Sequence, residues 1–344
     1  MQKEAIFEQL KQIIYFPKRN NIVELNMIEN LQISESEVSF NLVFPDLNDP
    51  GIKMMVENCS SLIKEKFGEA IKVNVNPIAQ KNSGEGPLSG VKKIIAIASG
   101  KGGVGKSTVA SNLAIALSKL GKKVALLDAD IYGPSMPIMF GLENAQPSAT
   151  QVNGKTKVLP IEKYGIKILS IGFFVKADQA LIWRGPMASS ALNQLFNDAV
   201  WGEIDYMLVD LPPGTSDIHL TLTQSYPITG AIIVTTPQQV AIADVKKAVA
   251  MFRQEKINVP VLGVIENMSY FTPAELPDNK YYIFGKGNAE IFATNLNIPF
   301  LGEIPLVAAI AESGDKGSPI AMDGNGIIGK VYAQLAKNII EQTS

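Results

Sequence analysis

The 344-residue chain contains a single cysteine, Cys59, and a single histidine, His219. One cysteine excludes an intrachain disulfide, and the two residues together exclude a zinc site built from cysteine and histidine of one chain. A metal cluster held by thiolates would need cysteines from more than one chain. Cys59 lies in a helical pattern that favours a buried or half-buried core thiol. His219 opens a helical pattern without a partner histidine and is interpreted as structural.

Neither sign of charge dominates, since 31 Lys and Arg residues balance 33 Asp and Glu residues and leave a formal net charge of -2. The chain therefore lacks the excess of basic residues that is typical of nucleic-acid-binding proteins. No apolar run approaches the ~18 residues of a membrane span, and residues 1–8 lack the apolar core of a signal peptide. We therefore expect a cytoplasmic protein with no nucleic-acid or membrane partner. The hydrophobic content of 46% is typical of a well-packed globular chain.

The pattern of apolar residues predicts two domains joined by a linker. Residues 1–78 mix helical and alternating segments and predict a small α+β domain. Residues 79–91 are rich in Gly, Ser and Pro and predict a flexible linker. Residues 92–344 alternate apolar strands with helices, which predicts an α/β domain with a mainly parallel sheet covered by helices on both faces. In the first domain we expect helices over 5–14 and up to Phe67, and strands over 21–25, 28–33, 37–44 and 70–75.

Residues 99–108 lie between a buried strand pattern and a helical pattern, and they satisfy the spacing G-x-x-x-x-G-K-S. Glycines in such a loop let the backbone wrap a polyphosphate, and the new helix adds free N–H groups. At this spacing Lys106 reaches the β and γ phosphates, and the Ser107 hydroxyl holds Mg²⁺. The predicted nucleotide-binding residues of the loop are Gly100, Lys101, Gly102, Gly103, Val104, Gly105, Lys106, Ser107 and Thr108.

A second lysine, Lys101, directly follows the first glycine of this loop. A lysine at that position points away from its own phosphates, so it is available to a nucleotide held by a facing subunit. The alternative is a solvated surface lysine in an ordinary loop.

Polar residues follow several of the predicted strands, at the edge where ligands gather in a parallel sheet. Asp128 and Asp130 end one strand, which puts one carboxylate near the Mg²⁺ and leaves the other to orient an attacking water. The alternative makes Asp128 a helix cap and Asp130 a turn residue. Asp210 ends another strand and supplies a further carboxylate for Mg²⁺, and Gly214 offers its N–H to the γ phosphate. The Asn267 amide suits the edge of a purine base, with adenine favoured, and the alternative is an asparagine in a turn at a strand end.

Together these segments resemble the deviant Walker A ATPases, the group of the MinD, ParA and ArsA proteins, and within it the Mrp/ApbC-type iron–sulfur cluster carriers. The segments that carry the resemblance are residues 99–108, 128–135, 183–187, 210–215 and 266–271. The resemblance implies a slow, dimer-dependent ATP hydrolase. It also implies transfer of an iron–sulfur cluster to an apoprotein client or assembly partner. The implied catalytic residues are Lys101, Lys106 and Asp130, and the implied Mg²⁺ site comprises Ser107, Asp128 and Asp210.

One feature of that family is missing, because members carry a C-x-x-C pair after the Asn-Met-Ser segment and residues 269–285 contain no cysteine. Two functions therefore stay open. One is a cluster carrier whose remaining ligands come from outside the chain. The other is a nucleotide-gated adaptor or chaperone that docks a client through residues 272–283 and the first domain. An apolar group in that segment, Leu276, Tyr281, Tyr282 and Ile283, favours the second unless these side chains pack the loop down.

A third function, a membrane-positioned ATPase, would require a basic amphipathic terminal helix. Residues 327–341 are amphipathic but only lightly basic, and they predict a helix packed on the sheet instead.

Overall fold

The computed structural model describes residues 3–18, 20–25, 27–34, 36–44, 51–79, 88–152, 154–174, 185–215, 217–255, 257–273 and 275–344. The chain forms two compact units, Met1–Glu85 and Gly86–Ser344, each with an apolar core of its own. Most of the predicted linker and residues 183 and 184 of the family segments lie outside the described residues, as do residues 45–50.

The first unit is a small α+β structure. Its elements are α1 (Lys3–Leu10), β1 (Ile14–Tyr15), β2 (Asn20–Asn21), β3 (Ile28–Ile33), β4 (Glu37–Phe44), α2 (Ile52–Phe67) and β5 (Lys72–Ala79). The central strand β4 pairs antiparallel with β3 and parallel with β5, and α2 packs on β5. Cys59 is fully buried in this core, as predicted.

Two predicted elements of the first unit differ from the structure. The helix predicted over 5–14 ends at Leu10, since residues 14 and 15 pair with β2. The strand predicted over 21–25 stops at Asn21, because the Asn21 side chain accepts the Glu24 N–H at 2.9 Å and closes a turn. An asparagine side chain that bonds a nearby backbone N–H competes with strand pairing, and apolar periodicity does not register this.

The second unit is the predicted α/β fold, with an eight-stranded sheet in the order β10-β11-β7-β12-β6-β13-β14-β15. Its strands are β6 (Val91–Ala98), β7 (Val124–Asp128), β8 (Ala149–Val152), β9 (Lys155–Val158), β10 (Ile161–Lys163), β11 (Ile166–Ser170), β12 (Ile204–Asp210), β13 (Gly230–Thr235), β14 (Val261–Asn267) and β15 (Phe300–Ile304). Its helices are α3 (Lys106–Lys119), α4 (Met136–Met139), α5 (Gly185–Asn197), α6 (Asp217–Ser225), α7 (Gln239–Phe252), α8 (Asn288–Asn295), α9 (Ala308–Asp315) and α10 (Ile327–Gln342).

Within the eight-stranded sheet all neighbouring strands pair in parallel except β10, which pairs antiparallel with β11. The central strands are buried along most of their length, in agreement with their continuous apolar sequences. As predicted, α10 buries one face, through Ile328, Tyr332, Leu335 and Ile339, and it contacts α3.

The register of three neighbouring strands builds the edge on which the site lies. Asp210 at the end of β12 pairs with Asp128 at the end of β7, and Asp128 pairs with Ser170 at the end of β11. Three polar side chains from distant parts of the sequence are therefore level with one another at the carboxyl edge of the sheet.

The antiparallel hairpin β8–β9 and the edge strand β10 were not predicted. Their residues are mostly exposed or half-buried, so they lack the continuous apolar pattern that identifies the inner strands. Among the helices that the structure describes, none is long and apolar enough to cross a membrane.

Candidate nucleotide-binding site

The loop predicted to bind phosphate connects the buried end of β6 to the start of α3. Gly105 is the residue before the helix and has a φ of 83°, a left-handed conformation that favours glycine. A Cβ on Gly100 would lie 2.3 Å from the backbone carbon of Asp244 in α7, and one on Gly105 would lie 2.3 Å from Asn267 Nδ2. Close packing against two other elements therefore requires glycine at both positions, in addition to any need of a bound phosphate.

Lys106 and Ser107, the first residues of α3, meet Asp210 at the end of β12. Lys106 Nζ lies 2.7 Å from Asp210 Oδ1, and Ser107 Oγ donates to Asp210 Oδ2 at 2.5 Å. Asp130 Oδ2 lies 3.6 Å from Lys106 Nζ. The structure thus brings together four of the predicted site residues from three separate segments of the chain.

Burial controls the charges of these carboxyl groups. It raises the pKa of Asp210, and the ammonium group of Lys106 opposes that shift. Burial and then the neighbouring Asp210 raise the pKa of Asp128. The pKa of Asp130 is also raised by burial, again with Lys106 acting in the opposite direction. One oxygen of Asp130, Oδ1, is buried and has no hydrogen-bond partner among the described residues. A buried acceptor without a donor is costly unless a ligand, ion or water completes it.

The carboxylate of Asp128 is surrounded by donors. Its Oδ1 accepts the Asp130 N–H at 3.2 Å, and its Oδ2 accepts the Ser135 and Met136 N–H groups at 3.1 Å each. The Ser170 hydroxyl donates to Oδ2 at 2.9 Å. Asp128 therefore holds the loop that carries Asp130 and caps the start of α4, which was the alternative interpretation of this residue. Its predicted part in an Mg²⁺ site stays a prediction.

Gly214 and Asn267 hold the phosphate loop from two sides. The Gly214 N–H donates to the Ser99 carbonyl at 2.9 Å, and Asn267 Nδ2 donates to the Val104 carbonyl at 2.9 Å. Contact of the Gly214 N–H with a γ phosphate would require this bond to open. The nucleotide contacts predicted for both residues stay predictions.

Lys101 is exposed at the outer side of the loop. Beside it lies a pocket of about 180 Å³, which is bordered by residues 101–104 of the loop and by Thr236, Gln238, Ala241, Met268 and Phe284. The five residues outside the loop were not predicted to belong to the site. Only the position of Thr236 and Gln238 just after a strand end hinted at it.

The group of Ser107, Asp130 and Asp210 fits a magnesium ion, because it offers hard oxygen ligands, among them a buried carboxylate oxygen that has no hydrogen-bond partner among the described residues.

The single cysteine of the chain does not provide a comparable ligand set for an iron–sulfur cluster. Cys59 is buried in the first unit, and burial raises the pKa of its thiol to about 12. Within the described ranges, no three His, Cys, Asp or Glu side chains are grouped so that they could hold a metal ion.

Residues 270–273 and 275–283 form a hairpin, closed by an antiparallel bridge between Phe271 and Tyr281, where the resemblance predicts cysteines. Phe271 and Tyr281 exchange backbone hydrogen bonds of 2.9 and 2.8 Å. Lys280 Nζ lies 3.8 Å from the centre of the Tyr270 ring, and the rings of Tyr270 and Tyr282 meet edge to face. Tyr282 packs the segment down, whereas Leu276, Tyr281 and Ile283 are exposed.

A glycine-rich loop between a buried strand and a helix, with lysine and carboxylates at the edge of a mainly parallel sheet, defines a P-loop NTPase. Residues 90–340 match the family described as "ParA: NUBPL iron-transfer P-loop NTPase", and the chain belongs to that family. The resemblance found in the sequence motifs is thereby confirmed.

Individual proteins agree with this assignment. An iron-sulfur cluster carrier protein of Synechocystis sp. is 43% identical over 99% of this chain and 98% of its own length. The nucleotide-binding protein of Archaeoglobus fulgidus, solved in complex with ADP, is 38% identical and covers 67% of this chain and 88% of its own, with a TM-score of 0.58. The cell division ATPase MinD of Pyrococcus furiosus, at 22% identity, covers 72% of this chain and 98% of its own with a TM-score of 0.51, and shares the fold.

Proposed function

We propose that this chain binds Mg²⁺ and ATP, hydrolyses the ATP slowly as a homodimer, and uses the cycle to deliver iron–sulfur clusters to apoprotein clients. The observation that carries the ATPase is the group formed by Lys106, Ser107, Asp130 and Asp210. It supplies a phosphate-binding cation, hard oxygen ligands and a carboxylate that can orient water within one small volume.

Each of these residues has a separate task in the proposed reaction. Lys106 exchanges Asp210 for the β and γ phosphates when ATP binds, so its positive charge stays paired. Asp130 orients the water that attacks the γ phosphorus. Ser107 and the nearby carboxylates would hold a Mg²⁺ ion, which would neutralise charge on the phosphate oxygens.

The dimer is supported by the exposure of Lys101. In the proposed assembly its ammonium group reaches the nucleotide of the facing subunit. A cation brought in from outside stabilises the charge of the transferring phosphoryl group in other NTPases. The rate per subunit should then rise with protein concentration.

This proposal is tested by measuring ATP hydrolysis against protein concentration for the natural chain and for Lys101→Ala. We expect Lys101→Ala to bind ATP and to lose most hydrolysis, with the exposed-lysine variant Lys330→Ala as the control. Full activity in Lys101→Ala would show that the dimer mechanism is wrong.

The cluster is the cargo in this proposal, and the name of the Synechocystis relative supports it. Cys59 does not support it, because its side chain is buried in the first unit and burial raises the pKa of its thiol to about 12. Cluster ligands would therefore have to come from outside the chain, from a small thiol or from the cysteines of a partner.

A second candidate function, a nucleotide-gated adaptor that has lost cluster binding, is favoured by the closed hairpin at 270–283. The hairpin is held by backbone bonds and aromatic contacts, and it presents four exposed apolar side chains, those of Phe271, Leu276, Tyr281 and Ile283. Such side chains are suited to a protein contact.

Anaerobic reconstitution with iron and sulfide separates the two candidates. The carrier predicts a cluster in stoichiometric amount when glutathione or a client is present. The adaptor predicts no bound iron under the same conditions, and loss of client binding in the double variant Leu276→Ser, Ile283→Ser.

A further inference from the structure

Ser170 lies beside the proposed site without belonging to it. The residue is fully buried at the end of β11. Its hydroxyl accepts the Gly172 N–H at 3.0 Å, and its own proton goes to Asp128 Oδ2 at 2.9 Å. Its hydrogen bonds thus join the end of β11 to Asp128 at the end of the neighbouring strand β7.

Asp128 also forms hydrogen bonds with the loop that follows it. The oxygen that accepts the Ser170 proton also accepts the Ser135 and Met136 N–H groups. The other oxygen accepts the N–H of Asp130. One carboxylate therefore links Ser170 to both ends of the loop that carries the Asp130 side chain.

A second contact fastens the same loop from the same strand end. Gly172 packs so closely that a Cβ there would lie 3.0 Å from Pro137 Cγ and 3.1 Å from Pro134 Cβ. Pro134 belongs to the loop between Asp130 and α4, and Pro137 lies in the first turn of α4. The end of β11 thus holds the Asp130 loop through a hydrogen bond and through packing.

We propose that Ser170 is a positioning residue for ATP hydrolysis, acting through Asp128 to set the position of Asp130 relative to Lys106 and the attacking water. The inference rests on the proposed ATPase function. The hydroxyl of Ser170 is a positioning group because its hydrogen bonds go to Asp128 and Gly172 and not to the groups that face the nucleotide. Loss of one such bond shifts the loop by a fraction of an ångström, and misplacement on the order of 1 Å costs up to about a hundredfold in rate.

The test compares the full-length chain with Ser170→Ala, Ser170→Thr and the control Ser118→Ala. Ser118 also donates a side-chain hydrogen bond, to the Gly165 carbonyl just before β11, but it has no link to Asp128. Steady-state kinetics give kcat and KM for ATP. Hydrogen exchange gives the protection of residues 130–137 and of α3.

For Ser170→Ala we expect kcat to fall about tenfold while KM for ATP changes less than about twofold, because the phosphate loop is untouched. Amide exchange should become faster in residues 130–137 and stay unchanged in α3. Ser170→Thr keeps the proton donor and should restore most of kcat. Ser118→Ala should behave as the natural chain.

An unchanged kcat with unchanged exchange in Ser170→Ala would overturn the inference, and so would an equal loss of kcat and of ATP affinity. If Ser170→Ala does not fold, Gly172→Ala gives the second test. Its Cβ would push on Pro134 and Pro137 and would also lie 3.2 Å from the Ser170 hydroxyl, so it disturbs both attachments of the loop, and the same split between kcat and KM is expected. The exchange measurement does not depend on hydrolysis. If the natural chain does not hydrolyse ATP, the proposed function is wrong, but hydrogen exchange still shows whether Ser170 is coupled to the loop.

Discussion

Lys106 Nζ and Asp210 Oδ1 lie 2.7 Å apart, and the lysine side chain is 6% exposed while the aspartate is fully buried. A buried ion pair is weak support for stability on its own, because removing both charges from water offsets much of the attraction. The pair matters here because it fixes the positions of its two charged groups. The pair keeps a cation at the start of α3 where a polyphosphate would sit, and its carboxylate faces Ser107.

Lys106→Ala should abolish nucleotide binding, because the loop loses the charge that pairs with the β and γ phosphates. Titration with a fluorescent ATP analogue measures the affinity. Lys330→Ala, which removes an exposed lysine on α10, is the control and should bind normally. Retained affinity in Lys106→Ala would place the nucleotide elsewhere.

Asp130→Asn should bind ATP and lose about a hundredfold or more of kcat, since the amide orients water poorly and accepts no proton. The measurement is kcat together with the affinity for a non-hydrolysed ATP analogue. Equal losses in both quantities would indicate that Asp130 holds the nucleotide instead of acting in the chemical step.

The same substitution has a predicted pH signature in the free energy of unfolding. The pKa of Asp130 is raised in the folded chain, mainly by burial, above its ordinary value of 3.8. The native state therefore keeps the proton to higher pH than the unfolded chain, and the contribution of Asp130 to stability falls as pH rises from 3.8 through the raised pKa. Asp130→Asn lacks this titration, so its stability relative to the natural chain should increase with pH across that window. Urea denaturation at several pH values in the presence of a chelator measures the difference, and a constant difference would contradict the prediction.

Gly100→Ala should destabilise the chain by roughly 1–3 kcal/mol and weaken nucleotide binding, because overpacking forces neighbours to move. The added Cβ would meet the α7 backbone at 2.3 Å, where no flexible side chain can yield. Gly133→Ala is the matched control, since a Cβ there meets no atom within 4 Å. Thermal unfolding and nucleotide titration compare the two variants.

Cys59 should resist alkylation in the native chain at pH 8. Burial raises the pKa of its thiol to about 12, so on the order of one molecule in ten thousand carries the reactive thiolate at that pH. In urea the same thiol should react quickly. Rapid native labelling measured by mass spectrometry would show that Cys59 is accessible, and it would revive this residue as an external cluster ligand.

The phosphate loop and the alternation of strands and helices were predictable because their signals are local. The spacing of Gly100, Gly105 and Lys106 identifies the loop, and continuous apolar segments identify the inner strands. The separate hairpin β8–β9 and the early stop of β2 were missed, since the first has little buried surface and the second depends on one side-chain hydrogen bond. The sequence also predicted correctly that Cys59 is a core thiol.

By itself the sequence determined the chemical inventory of this protein: a phosphate loop, acidic strand ends, one cysteine and no thiolate pair after Ser269. Only the tertiary structure decided which of these groups meet. Asp210 lies 104 residues from Lys106 in the chain, and Ser170 lies 42 residues from Asp128. They meet because β11, β7, β12 and β6 are neighbours in the sheet and share one register. Local periodicity does not specify strand order or register, since these arise from the packing of the whole sheet and its helices.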